Sequence, residues 1–214
     1  MTACGPFERH IRDAIALNVS RAPLYVAMSG GASRSISRRL ILAERVLLPV
    51  ARWFDRQAEP YHRAGIPLLE AIFVSMETAP VFGSTQAVRA DAATRQPHVS
   101  AIRRRLRSAF RAGGFEAVAN ALSAELTALA VTPNHECLLR HLLESARRIA
   151  VLAPAQIDSA REHRLASPRW LLVLLLRMHL WGLGLAASLD ARARPLQMRG
   201  IPILAQDLPP IPVP

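Results

Sequence analysis

Three side chains able to bind a metal fall on one predicted helical line. Cys137, His141 and Glu144 are spaced i, i+4, i+7, which aligns a thiol, an imidazole and a carboxylate. Arg148 extends the same line and would repel a cation. Its spacing from Glu144 is that of an ordinary i, i+4 ion pair. A polar helix face therefore outweighs a metal site here, and these three residues stay candidates only. Glu59 and His62 form the one Glu-x-x-His of the chain, where a di-iron helical bundle would want two. Glu70 and Glu77 share a line, but no second carboxylate pair accompanies them. The stretch 29–34, Ser-Gly-Gly-Ala-Ser-Arg, precedes a helix and has groups that can cradle phosphate. Without any lysine it is no Walker loop, and a plain loop is the expectation. No Gly-x-Ser-x-Gly is present. No catalytic residue and no cofactor is assigned, and the balance leans away from an enzyme.

The densest charge lies at 103–111. Arg103, Arg104, Arg105, Arg107 and Arg111 surround an apolar stripe of Val99, Ile102, Leu106 and Phe110. Five guanidinium groups on one helix could bind phosphates or carboxylates in bidentate fashion. Aromatic interleaving is thin, so nucleic acid ranks behind the other anionic partners.

Composition points the same way. The chain has 214 residues, a net charge of +11 and no lysine among its 27 basic residues. Half of it is hydrophobic (51%) and only 20% is charged, leaving little charge to cover a surface. Extra burial in a partner is expected: an acidic protein or the protein's own oligomer first, an anionic membrane surface next. Cys4 and Cys137 are too few for a disulfide framework. The first residues lack an apolar signal core. The expected location is the cytoplasm, with a peripheral membrane position as an alternative. The functional expectation is a non-enzymatic interaction or assembly component. A peripheral membrane protein and a small helical enzyme, metal-dependent in one version, are the alternatives.

An internal similarity sets the architecture. At a shift of 135 positions, Leu48, Ala51, Asp55, Ala58, Pro60, Gly65, Ile66, Pro67 and Leu69 meet identical residues, among them Asp190, Pro195, Gly200, Ile201 and Pro202. Matched Asp, Pro and Gly positions are hard to obtain by composition alone. The expected fold is all-α: a helical bundle of two diverged copies of a helix–helix–extended unit, with a Pro-rich C-terminal arm. Each Gly-Ile-Pro should end a helix and start an extended segment.

The elements follow from periodicity and breakers. Helices are expected at 7–19, from Ser35 or Ser37 to Phe54, and at 68–77, 99–111, 115–131 and 133–152. Residues 1–82 form the first half, 83–98 a linker, 99–207 the second half and 208–214 the Pro-rich tail, together expected as one compact domain. Residues 170–189 have the length of a membrane span. Arg177 and His179 near its centre, and the charges in the matching 40–54 helix, favour a buried core helix instead.

Overall fold

The computed structural model describes residues 4–73, 99–130, 138–201 and 203–204. It contains five helices: α1 (Pro6–Ser29), α2 (Gly31–Arg63), α3 (Val99–Ala130), α4 (Leu138–Glu162) and α5 (Arg169–Gln197). The described residues contain no strand, so the fold is all-α. The candidate linker 83–98, the tail 208–214 and Cys137 lie outside the described residues.

α1 and α2 form a hairpin around one residue. Gly30 takes φ 68° and donates its amide to Val26 O at 2.8 Å, and α2 begins at the next residue. A β-carbon is unwelcome at such a φ, so glycine is the natural occupant. The expected loop at 29–33 thus contracts to Gly30, and α2 starts before Ser35. It also runs on past Phe54 to Arg63, carrying Pro49 and Pro60 within it. Its inward stripe holds Ile36, Leu40, Ala51, Phe54, Ala58 and Tyr61.

α3 is two arms. Gly113 and Gly114 are non-helical, and Gly114 (φ 64°, ψ −141°) repeats the backbone shape of Gly30 (φ 68°, ψ −141°). In a straight helix Arg105 and Glu125 would be about 30 Å apart. Here Arg105 Nε and Nη2 donate to the Glu125 carboxylate at 2.5 and 2.9 Å. The chain has folded back on itself. Ile102 and Leu106 of the first arm and Phe115, Val118, Leu122, Leu126 and Leu129 of the second are buried, as the periodicity requires.

α4 and α5 form the second long hairpin, joined by residues 163–168. α5 packs on α4 and α2. One of its faces lies in the core: Leu171, Leu172, Leu175, Leu176, Leu183, Ala186 and Leu189 are all buried. The opposite face is open, with Trp170, Leu174, Trp181 and Leu185 exposed. The sequence reading of a buried core helix therefore describes half of α5. By length and composition alone it is also the one described helix able to cross a membrane.

After Gly-Ile-Pro the chain turns instead of extending. Both Gly65 (φ 79°) and Gly200 (φ 82°) close their helices in the left-handed region. Gly65 N donates to His62 O and Ile66 N to Tyr61 O. Gly200 N donates to Gln197 O and Ile201 N to Leu196 O in the same arrangement. These paired bonds satisfy the last carbonyls of a helix, and the flanking apolar residues pack across the turn. Leu68 N to Ile66 O and Ile203 N to Ile201 O then tighten the chain at both places. Residues 68–73 form turns, not the first part of the helix expected at 68–77. They dock under α4, where Gln156 Nε2 donates to Leu68 O at 3.0 Å and Arg148 Nε donates to Ala71 O at 2.5 Å.

Candidate interaction surface

Asp55 and Asp190 are placed by α2 and α5 and serve the neighbouring helix. Asp55 Oδ1 and Oδ2 accept from the amides of Phe7 and Glu8 at 3.0 and 2.8 Å. Asp190 Oδ1 and Oδ2 accept from the amides of Leu138 and Leu139, both at 2.9 Å. Each carboxylate satisfies two of the unpaired N–H groups at a helix start and sits at its positive end. Burial pushes the Asp55 carboxyl up, while the two amides pull against it. Gly5 makes the approach feasible: a β-carbon there would lie 2.3 Å from Asp55 Cγ. These aspartates are structural, and their matched positions were the clearest signal in the sequence.

The two caps also align at an offset different from that of the Gly-Ile-Pro segments. Phe7 and Glu8 stand to Leu138 and Leu139 at a shift of 131, not 135. In that register Arg9-His10 meets Arg140-His141, and Asp13 meets Glu144. The difference between the registers falls in the connections, a single Gly30 in one hairpin and residues 163–168 in the other. Aligning Arg-His-x-x-Asp against Arg-His-x-x-Glu would have exposed it.

Of the metal candidates, Cys137 lies outside the described residues, Glu144 pairs with an arginine, and His141 joins a set of rings. Its ring lies 6.5 Å from that of His10 and within 7° of parallel. Phe73 links the group, stacking on Phe7 at 4.0 Å and lying within 5.2 Å of His10 and 6.3 Å of His179. His141 is half-buried by surface area, yet the protein around it, with His10 and His179, pushes its imidazole down to about 3. Burial lowers His179 as well, against the pull of its Nδ1 contact with Leu175 O at 2.8 Å. These are neutral rings in a low-dielectric pocket. Glu144 pairs with Arg147 at 3.2 Å rather than with Arg148. Among the described residues, no group of three His, Cys, Asp or Glu side chains is placed to hold a metal ion.

The arginine cluster divides by role. Arg103 Nε donates to Leu180 O at 2.7 Å and Nη2 to Trp181 O at 2.6 Å, tying α3 to α5. Each carbonyl has a second lone pair beyond the one its helix uses. Gly184 leaves room for this, since a β-carbon there would lie 3.2 Å from Arg103 Nη2. Arg105 is held by Glu125. Arg104, Arg107 and Arg111 are exposed and make no ion pair with any described residue. The five therefore comprise two structural residues and three whose charge faces outward. A shallow depression is lined by Ile157, Arg161, Arg164, Leu165 and Ser167.

No protein-family model, curated protein or solved structure matches this chain.

Proposed function

We propose that the protein is a non-enzymatic helical interaction component that binds an anionic partner through outward-facing arginines. The observation that carries this reading is the set Arg104, Arg107 and Arg111, exposed on one arm of α3 without carboxylate partners among the described residues. The arm itself is fixed by buried Ile102 and Leu106 and by the Arg103 tie to α5. A rigid array of guanidinium groups suits carboxylates or phosphates, which it can grip in bidentate fashion. The overall charge of +11 adds long-range attraction for any anionic surface. The proposed site of action is the cytoplasm, including the surface of its membrane.

The same reading takes the chain as two diverged copies of one unit, α1–α2 with its Gly-Ile-Pro turn and α4–α5 with its own. Identical aspartate caps, identical glycine turns and the paired registers support a duplication.

Fractionation of the native protein at low and at high salt tests the partner reading. At low salt it should run in an assembly larger than its own 23.5 kDa, and high salt should release it. Screening shortens the reach of exposed charges to about 8 Å at physiological ionic strength and further above it. A particle of monomer size under both conditions would refute the reading.

A further inference from the structure

The outer faces of α2 and α5 meet at an aromatic contact. Trp53 and Trp170 lie edge to face, 5.9 Å apart at 72°. From Trp53 a line runs back along α2 through Pro49, Val46 and Leu42, at steps of three or four residues. From Trp170 a second line runs along α5 through Leu174, Arg177, Trp181 and Leu185. Such steps keep residues on one side of a helix. The two lines are open to solvent where it matters: Leu42 is 63% exposed, Val46 64% and Trp181 80%. All three tryptophans of the chain belong to them, Trp170 and Trp181 exposed and Trp53 partly buried against the core. No acidic residue lies on either line, whereas Arg38 and Arg177 do and Arg45 flanks Val46, and all three arginines are exposed.

We infer that this ridge docks on an anionic lipid surface, a proposal that rests on the anionic-partner reading above and names the partner. A bilayer offers an apolar layer beneath a sheet of phosphates. The ridge offers the complement, apolar side chains interleaved with arginines. Indole rings favour the depth of the lipid headgroups, and an arginine between them can lay its stem along the apolar layer while its head reaches a phosphate. The buried face of α5 is committed to the core, so the helix lies along the surface with only its outer side inserted. A second copy of the chain fits less well, because each copy carries +11 and the arginines would face one another. An acidic protein would satisfy the arginines but would leave the exposed tryptophans and leucines to a separate apolar match.

The tryptophans make the test direct, since the chain's indole emission comes from the ridge alone. The full protein is mixed with vesicles of phosphatidylcholine, with and without phosphatidylglycerol, and followed by emission wavelength and co-sedimentation. With phosphatidylglycerol, emission should shift to the blue and the protein should sediment, less so as salt is raised. Trp181→Glu and Leu174→Glu should each weaken partitioning by about tenfold, because each removes apolar contact and adds a repelled charge. Circular dichroism and thermal melting verify that the variants fold. Should one fail to fold, Arg177→Gln with Arg45→Gln supplies an independent measure, expected to reduce binding to the anionic vesicles. Absence of a shift and of sedimentation with phosphatidylglycerol overturns the proposal. So does equal binding to phosphatidylcholine alone, which removes the charge argument. A blue shift with polyglutamate as large as with vesicles assigns the ridge to an acidic protein, and a lipid-free dimer by light scattering that buries the tryptophans assigns it to a second copy. Either result also overturns it. A salt-released native assembly with no vesicle binding would sink the lipid proposal and leave the broader anionic-partner reading standing.

Discussion

His10 of α1 and His141 of α4 face each other with ring planes within 7° of parallel, and they occupy matching positions in the 131 register. Their contact lies where the α1–α2 hairpin meets α4. Phe73 packs against His10, so the contact is an aromatic one. Acid should therefore loosen the molecule at this place first. The sign follows from the direction of the shifts. His141 is held at about 3 and His179 is lowered too, both below the unfolded value of 6.5. A lowered histidine disfavours its charged form in the folded state. The stability it contributes is complete above pH 6.5 and is lost as pH falls below that value, down to the folded pKa. Each such histidine contributes a slope of about 1.4 kcal/mol per pH unit at most across its window. Urea midpoints should rise between pH 5 and 7 in the wild type, the relevant window for an unfolded histidine near 6.5. A His141→Phe, His179→Leu variant should show a flatter profile. A wild-type profile that is already flat over this range would contradict the account.

The aspartate caps should behave as equals. Asp55→Ala and Asp190→Ala should each cost about 0.5–2 kcal/mol of stability, the usual range for losing an N-cap. Asparagine should recover only part of this, because it presents one acceptor and one N–H donor to two amides. The two losses should add, since the caps serve different helix starts. Chemical denaturation of both single variants and the double variant measures this. A neutral Asp190→Ala would show that the second cap does not stabilise its hairpin.

Gly5 and Asp55 should be coupled. Gly5→Ala places a β-carbon 2.3 Å from Asp55 Cγ and should destabilise by about 1–3 kcal/mol, the range for overpacking. In an Asp55→Gly background both the Cγ and the Cβ that would clash are gone, so the same glycine change should cost much less. A double-mutant cycle that gives simple additivity would mean that the carboxylate moves aside freely.

The arginines of α3 should split into two classes. Arg104→Gln, Arg107→Gln and Arg111→Gln together should leave the melting temperature almost unchanged, since surface changes usually stay within about 0.5 kcal/mol each. They should weaken association with the native anionic partner. Arg103→Gln should instead destabilise by about 1.5–3 kcal/mol, because two charge-assisted bonds to the α5 backbone are lost. Thermal melts of the two variants side by side decide the matter, and equal melting temperatures would count against the division.

Much of the interior was legible in the chain itself. The period-3.6 stripe at 99–111 named Ile102 and Leu106, which are buried, and Val99 and Phe110, which pack partly buried against the core. The Gly-Gly break was visible too, but its consequence was not. Glycines mark where a helix stops, whereas the reversal shows only in contacts made across the turn, such as that of Arg105 with Glu125. α2 was read as ending at Phe54 because the next residues are polar. Its last turns persist because Ala58 and Tyr61 continue the buried face beyond Asp55. Extended segments were expected after each Gly-Ile-Pro because proline withholds a donor. The left-handed glycine before it had already reversed the chain, and Leu68 and Leu69 needed burial more than extension. The arginine cluster was legible as charge alone. Which members are structural turned on carbonyls near Gly184, a residue 81 positions away from Arg103, and no local pattern carries that information.

The brevity of Gly30 bears on how the chain is assembled over time. A one-residue connection lets α1 and α2 find each other through neighbours that are close in sequence, and the Asp55 cap then seals a unit complete by Gly65. Proteins whose contacts are local in this sense fold quickly. Synthesis proceeds from the N-terminus, so this hairpin leaves the ribosome while the arms of α3 and the second hairpin are still unmade. Its inner face, with Phe7, Phe54 and Phe73, waits for α4 to cover it. The nascent protein therefore passes through an interval in which half of its core is formed and the other half is bare. α4 begins only at Leu138, so the stretch between Phe73 and Leu138 sets how long that interval lasts.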